Sequence, residues 1–246
     1  VPGPAYACAI GLAVGLFATP VYAGSVSAQS ARFEVFSGSG LTSNSSFNYA
    51  GGVWALGHAV SSPGFRIKAL GGFGDYVYDG SVPLSGGIIP ARFNGDVLLG
   101  ELLAGRLWGR GEWTLKTYAG IEYARHDISP DDPSNQVQGS KWGGKLQLET
   151  WRNLGTASFF SLDASYGSAF GDYWVQARLG RRVAKKLTVG LEAGGLGNEA
   201  YDAGRGGAFL RFHLDSMDFT LSGGVTGDYL NDETGGYVSF GMYRKL

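Results

Sequence analysis

Trp113-Thr114-Leu115-Lys116-Thr117-Tyr118-Ala119-Gly120-Ile121-Glu122-Tyr123-Ala124-Arg125 reads with a period of two. Successive side chains of a β-strand point to opposite faces. Trp113, Leu115, Thr117, Ala119, Ile121 and Tyr123 therefore share one face, and Thr114, Lys116, Tyr118, Gly120 and Glu122 share the other. The apolar face begins and ends on an aromatic ring. At about 3.3 Å per residue and a tilt near 40°, those rings stand roughly 25 Å apart, the height of the lipid-facing band between the aromatic girdles of a membrane barrel. A soluble barrel has no reason to space outward aromatics in this way.

The pattern recurs on both sides of this stretch. Leu146 and Leu148 oppose Lys145, Gln147 and Glu149; Tyr173, Val175, Ala177 and Leu179 oppose Gln176 and Arg178; Leu187, Val189, Leu191 and Ala193 oppose Glu192; Ala208, Leu210, Phe212 and Leu214 oppose Arg211 and His213. Period-two segments are expected near 31–37, 47–58, 65–78, 93–107, 113–125, 141–151, 157–166, 172–182, 187–196, 205–214, 218–228 and 236–246. Connections near 38–46, 79–92, 126–140, 196–204 and 229–235 read as long and polar. Those near 59–64, 109–112, 152–156, 183–186 and 215–217 read as short turns. The connection near 167–171 is the exception among the long set; otherwise the long loops at one end and short turns at the other are those of an outer-membrane barrel. In one segment Asp96 and Glu101 have opposite parity, so either a bulge separates them or Asp96 already stands above the bilayer. The fold expected is all-β, a transmembrane antiparallel up-and-down barrel of about 12 strands in the outer membrane of a Gram-negative bacterium.

Composition agrees. The 246 residues are 44% hydrophobic and only 17% charged, yet the body of the chain holds no run of 18 apolar residues. Membrane-spanning helices are thereby excluded there, and the apolar residues must be spread by alternation. Glycine numbers 42 and includes eight Gly-Gly pairs, which suit a sharply curved sheet better than a helix. With a net charge of −1, no electrostatic case for nucleic acid exists. Residues 1–25 read as a signal peptide, with an apolar core at 9–17 and a small-x-small cleavage pattern at Val21-Tyr22-Ala23, or alternatively at Val26-Ser27-Ala28. The only cysteine, Cys8, falls in that leader. Residues 26–246 are expected to form one barrel domain without disulfides.

If the apolar faces meet lipid, the charged faces line the lumen. The candidates are Arg66, Lys68, Tyr76, Lys116, Tyr118, Glu122, Lys145, Glu149, Asp163, Trp174, Arg178, Glu192 and Arg211, with Arg32, Glu34, Phe36 and Phe209 beside them. Signs are nearly balanced, so cross-strand ion pairs are expected, as is little ion selectivity. Aromatic rings can stack on sugar rings or simply pack the interior, and the loop aromatics Tyr201 and Tyr229 admit both roles. His126, beside Asp127, Asp131 and Asp132, is the candidate for chemistry or for a cation in a loop; solvated acids are the simpler reading. His58 and His213 fall near periplasmic turns. No G-x-S-x-G, H-E-x-x-H or paired C-x-x-C motif occurs, so no catalytic residue, metal or cofactor is assigned.

Several segments carry a family resemblance: Tyr49-Ala50-Gly51-Gly52-Val53-Trp54-Ala55-Leu56, Gly71-Gly72-Phe73-Gly74-Asp75-Tyr76, Gly190-Leu191-Glu192-Ala193-Gly194-Gly195, Ala203-Gly204-Arg205-Gly206-Gly207-Ala208 and Leu221-Ser222-Gly223-Gly224-Val225. Together they resemble the BcsS family of cellulose-biosynthesis proteins. The resemblance implies a porin-like, non-catalytic outer-membrane protein of cellulose biosynthesis, polysaccharide export or surface anchoring. The partners it implies are outer-membrane lipid, cellulose or another glucan, and components of the cellulose synthase complex. Two rival expectations are a general small-solute channel and an outer-membrane lipid-modifying enzyme.

Overall fold

Each period-two segment pairs with the next along the chain, and the last closes on the first. The computed structural model describes residues 31–84, 87–228 and 233–246; the expected leader with Cys8, and Tyr229, lie outside them. Twelve antiparallel strands form one closed barrel. They are β1 Phe33–Thr42, β2 Ser45–Ala55, β3 Gly64–Leu84, β4 Gly87–Arg110, β5 Trp113–Ser129, β6 Gly139–Leu154, β7 Ser158–Gly167, β8 Tyr173–Ala184, β9 Leu187–Asn198, β10 Tyr201–Leu214, β11 Met217–Asp228 and β12 Glu233–Lys245. Closure runs through β1 and β12, from Glu34↔Lys245 to Thr42↔Tyr237. A closed ladder leaves no unpaired edge, which is why a barrel can cross a membrane at all.

The outward faces are oily. Leu102, Leu146, Leu179, Leu191 and Val238 are all more than half exposed. Such a continuous apolar belt would drive aggregation in water but is matched to acyl chains. Aromatic residues bound it: Phe33, Trp54, Phe65, Trp108 and Trp113 at the end that holds the chain terminus, and Phe73, Trp142 and Tyr166 at the other. Arginines join the first girdle. The Arg106 guanidinium lies 4.1 Å from the Trp108 ring centre and 5.1 Å from that of Phe65, and Arg152 lies 4.9 Å from Trp113. Their guanidinium cations lie over the ring faces at the level of the girdle.

The other boundary is drawn by carboxylates. Asp75 pairs with Asp96, and Asp96 with Asp127, so three acids share one outward row. The β3–β4 ladder is unbroken between Asp96 and Glu101. No bulge separates the two, and Asp96 keeps its outward parity above the apolar belt. Beyond that row β3 and β4 continue as a two-stranded ribbon to Leu84↔Gly87, roughly 30 Å farther along the strands.

This ribbon corrects the expectation of a loop at 79–92. Gly80, Pro83, Gly86, Gly87 and Pro90 read as loop punctuation. Above Tyr76 and Asn94, however, the ribbon has no outer neighbours, and proline is tolerated on such an edge. Other expected long loops also shorten, because strands continue past the membrane: β1 and β2 are separated only by residues 43–44, and β9 and β10 by 199–200. Tyr201 accordingly stands on β10 and not in a loop. At the terminal end the connection 56–63 is longer than expected. Arg32 precedes β1 and is exposed, so it does not join the interior.

Candidate functional site

The inward faces carry the charges. Arg66, Lys68, Tyr76, Lys116, Tyr118, Glu122, Lys145, Glu149, Asp163, Trp174, Arg178, Glu192 and Arg211 are all buried, none more than 6% exposed. Buried ions are tolerated only when paired. Three groups meet that requirement, the first and third by contacts that leap across the barrel and the second among neighbouring strands and the β7–β8 connection.

The first group sits near the terminal end. Lys68 on β3 reaches Glu149 on β6 at 2.9 Å, and Lys116 on β5 reaches the same carboxylate at 3.1 Å. Lys116 also lies 3.6 Å from Glu34 on β1, whose other oxygen accepts the Tyr243 hydroxyl at 2.7 Å. Gln147 donates to Glu149 at 2.8 Å. The second group surrounds Lys145, which pairs with Asp172, with Glu122 at 3.1 Å and with Glu101 at 3.4 Å. The third surrounds Glu192 on β9. It accepts from Arg178 at 2.8 Å, from the Tyr237 hydroxyl of β12 at 2.7 Å and from Ser222 at 3.1 Å. Strands β1 and β5, or β9 and β12, are not neighbours. Contacts between them therefore draw chords across the lumen.

Packing completes the closure. Trp151 and Phe159 stack at 3.9 Å, with the Arg211 guanidinium 5.4 Å from Phe159 and 5.7 Å from Phe209. Arg66 donates to the carbonyls of Val60 and Ser62, holding the 56–63 connection beneath the barrel. At the outer mouth Phe47, Tyr49, Tyr76, Tyr78, Phe93 and Trp174 form one buried cluster. Tyr78 donates to Asp132 at 2.8 Å and accepts from Asn135 at 2.9 Å, tying the connection 130–138 over that cluster.

A connection turned inward adds a plug. Residues 168–172, between β7 and β8, lie against β6, and the Ala169 amide donates to Glu122 at 2.9 Å. Gly143 makes this possible, because a Cβ there would overlap the Ala169 backbone. Gly143→Val is therefore expected to cost about 1–3 kcal/mol by overpacking and to push the plug off the wall. Proteolysis in 168–172 should then rise, whereas a cleavage pattern like the wild type's would show that this contact does not hold the plug.

The histidines are dispersed. His126 lies on β5 with its ring inward, sharing a 3.1 Å hydrogen bond with Tyr76, while Asp127 points outward to Arg125. Asp127 is thus parted from His126, because neighbours along a strand diverge, while Asp131 and Asp132 stand in the connection 130–138, Asp132 being taken up by Tyr78. Among the described residues no three such ligands gather. At the terminal end Thr188, His213 and Asp218 form a relay, at 2.9 Å and 2.8 Å. It resembles the order of a hydrolase triad, but the Thr188 side chain is completely buried. The relay instead cross-links β9, β10 and β11.

Glu34, expected beside the candidates, takes its place in the first group, whereas Glu101, Asp172, Tyr237 and Arg205, which lies 3.9 Å from Glu192, also build these groups without having been candidates. Glu34 was legible by parity alone. Asp172, by contrast, acts from a connection, where periodicity carries no signal.

A lipid-facing belt between two girdles, a carboxylate row above it and an ion-paired interior define an outer-membrane β-barrel. The chain belongs to the family of cellulose biosynthesis protein BcsS, whose model matches residues 34–246. Solved structures of similar fold include the translocator domain of autotransporter NalP from Neisseria meningitidis, at 14% identity and TM-score 0.50, covering 87% of each chain. They also include the transport unit of autotransporter AIDA-I from Escherichia coli, at 12% identity and TM-score 0.49, covering 96% of this chain and 95% of that one. The KdgM porin in complex with disordered oligogalacturonate is similar at 9% identity and TM-score 0.48, over 87% and 99%. At such identities the likeness concerns the fold alone. A search of curated proteins returns no match.

Proposed function

We propose that this protein anchors cellulose at the outer surface as a non-catalytic barrel, and that glucan does not pass through its bore. The observation that carries this reading is the set of chords across the lumen. Lys116–Glu34 and Tyr237–Glu192 bring side chains of distant strands within hydrogen-bond or ion-pair reach. A polymer strand threading the barrel would have to break them and strand buried charges, at several kcal/mol each. The thirteen interior residues are then a structural lock. Family membership supports the link to cellulose, with the glucan itself and components of the synthase complex as partners.

Deleting the gene is expected to lower surface cellulose while inner-membrane synthase activity persists. Unchanged surface cellulose would overturn the reading. In planar bilayers the purified barrel should be silent, and steady conductance would favour a solute channel instead. A fluorophosphonate probe should leave Thr188 unlabelled, because its hydroxyl is out of reach of solvent.

A further inference from the structure

We infer that the outer end of the interior carries a glucan subsite built from Tyr49, Tyr201, Arg205 and Tyr237, with Gly40 as its open wall. The inference rests on the anchoring reading and names the place where the chain would be held.

These residues line one cleft, together with Thr42, Asn44, Ser45 and Thr226, and the lipid-facing Leu41, Val238 and Phe240 close its outer wall. The lining suits a saccharide. Ring faces pack against the C–H faces of sugars, while hydroxyls, an amide and a guanidinium meet sugar oxygens. Arg205 is fixed in advance. Its guanidinium lies 4.2 Å from the centre of Trp174 and 4.7 Å from that of Tyr237, and its side chain is 7% exposed. Stacking of this kind fixes orientation without using donors.

Part of that donor capacity is unused. The nearest carboxylate oxygen, on Glu192, is 3.9 Å away. That carboxylate already accepts from Tyr237, Arg178 and Ser222. The Arg205 Nε has no hydrogen-bond acceptor among the described residues. A buried guanidinium with five donors gains most from a ligand that presents several oxygens in a row. A β-linked glucan does so along each ring edge. Opposite, a Cβ placed on Gly40 would meet nothing within 4 Å, which leaves room beside the rings.

The test uses the full barrel in detergent micelles, titrated with cellohexaose by calorimetry. Saturable binding is expected. Tyr201→Ala and Arg205→Ala should each weaken it at least ten-fold. Because Arg205→Ala risks the fold, Gly40→Leu provides an independent arm: it removes no contact, fills the open wall and should abolish binding while heat-modifiable gel migration stays normal. Absent binding by the folded wild type would overturn the subsite, as would undiminished binding by Gly40→Leu. Binding of oligogalacturonate in place of cellohexaose would overturn its assignment to a neutral glucan. Should cellohexaose fail to bind while gene deletion still lowers surface cellulose, the subsite falls and the anchoring reading stands. Binding without a cellulose phenotype would leave the subsite in place and overturn the anchoring reading.

Discussion

Glu149→Ala is expected to destabilise the barrel by about 3–5 kcal/mol, the usual cost of leaving a buried charge without its partner. Two ammonium groups depend on this one carboxylate, Lys68 at 2.9 Å and Lys116 at 3.1 Å. Once it is gone, among the described residues Lys116 keeps Glu34 at 3.6 Å, and Lys68 keeps the ring faces of Phe36 and Tyr118. The measurement is urea unfolding in micelles, read by the shift between folded and unfolded bands on unheated gels. The paired replacement Lys68→Met with Glu149→Leu should recover much of the loss, because it removes one charge of each sign and leaves Lys116 with Glu34. Equal stability of Glu149→Ala and the wild type would mean that water screens these charges. The bore would then be open, and the anchoring proposal would lose its physical basis.

The second large effect tests which way the oily faces look. Leu146→Arg should cost about 2–4 kcal/mol, whereas Leu98→Arg should cost about 0–1 kcal/mol, following the depth dependence of cations on a lipid-facing barrel surface. The two leucines are similarly exposed, at 61% and 50%, so accessibility alone predicts no such difference. Depth separates them. Leu146 sits midway between Trp142 and Arg152 on β6, inside the belt. Leu98 pairs with Arg125 and stands two residues from Asp96, at its upper margin. Unfolding in lipid vesicles gives both values. Equal, small effects would indicate a barrel that faces water.

Much of the strand pattern was legible because alternation is local. Trp113 to Tyr123 announces both the strand and the thickness of what surrounds it, and the inward parity of Lys116 and Glu122 follows from the same period. Boundaries failed where tertiary pairing overrode local chemistry. Residues 79–92 carry glycines and prolines that read as a loop, and only the pairing of 79–84 with 87–92 turns these segments into a ribbon. His126 failed for the opposite reason. Asp127 turns to the opposite face of the strand, and Asp131 and Asp132 are held in the following connection, bound to Gln138 and Tyr78.

The site divides in the same way. That Lys68, Glu149, Arg178 and Glu192 face the interior was readable from parity. That Lys68 meets Glu149 across 81 positions, or Tyr243 meets Glu34 across 209, was not. The amino-acid sequence alone determined two faces on every strand, because side-chain direction depends only on position along it, and the spacing of the aromatic girdles with the alternation of loop lengths then set the oily face outward. Closure of the bore, the inward turn of 168–172 and the cleft at Arg205 were decided by tertiary structure. They depend on barrel curvature and register, which bring distant side chains within 3 to 4 Å of one another.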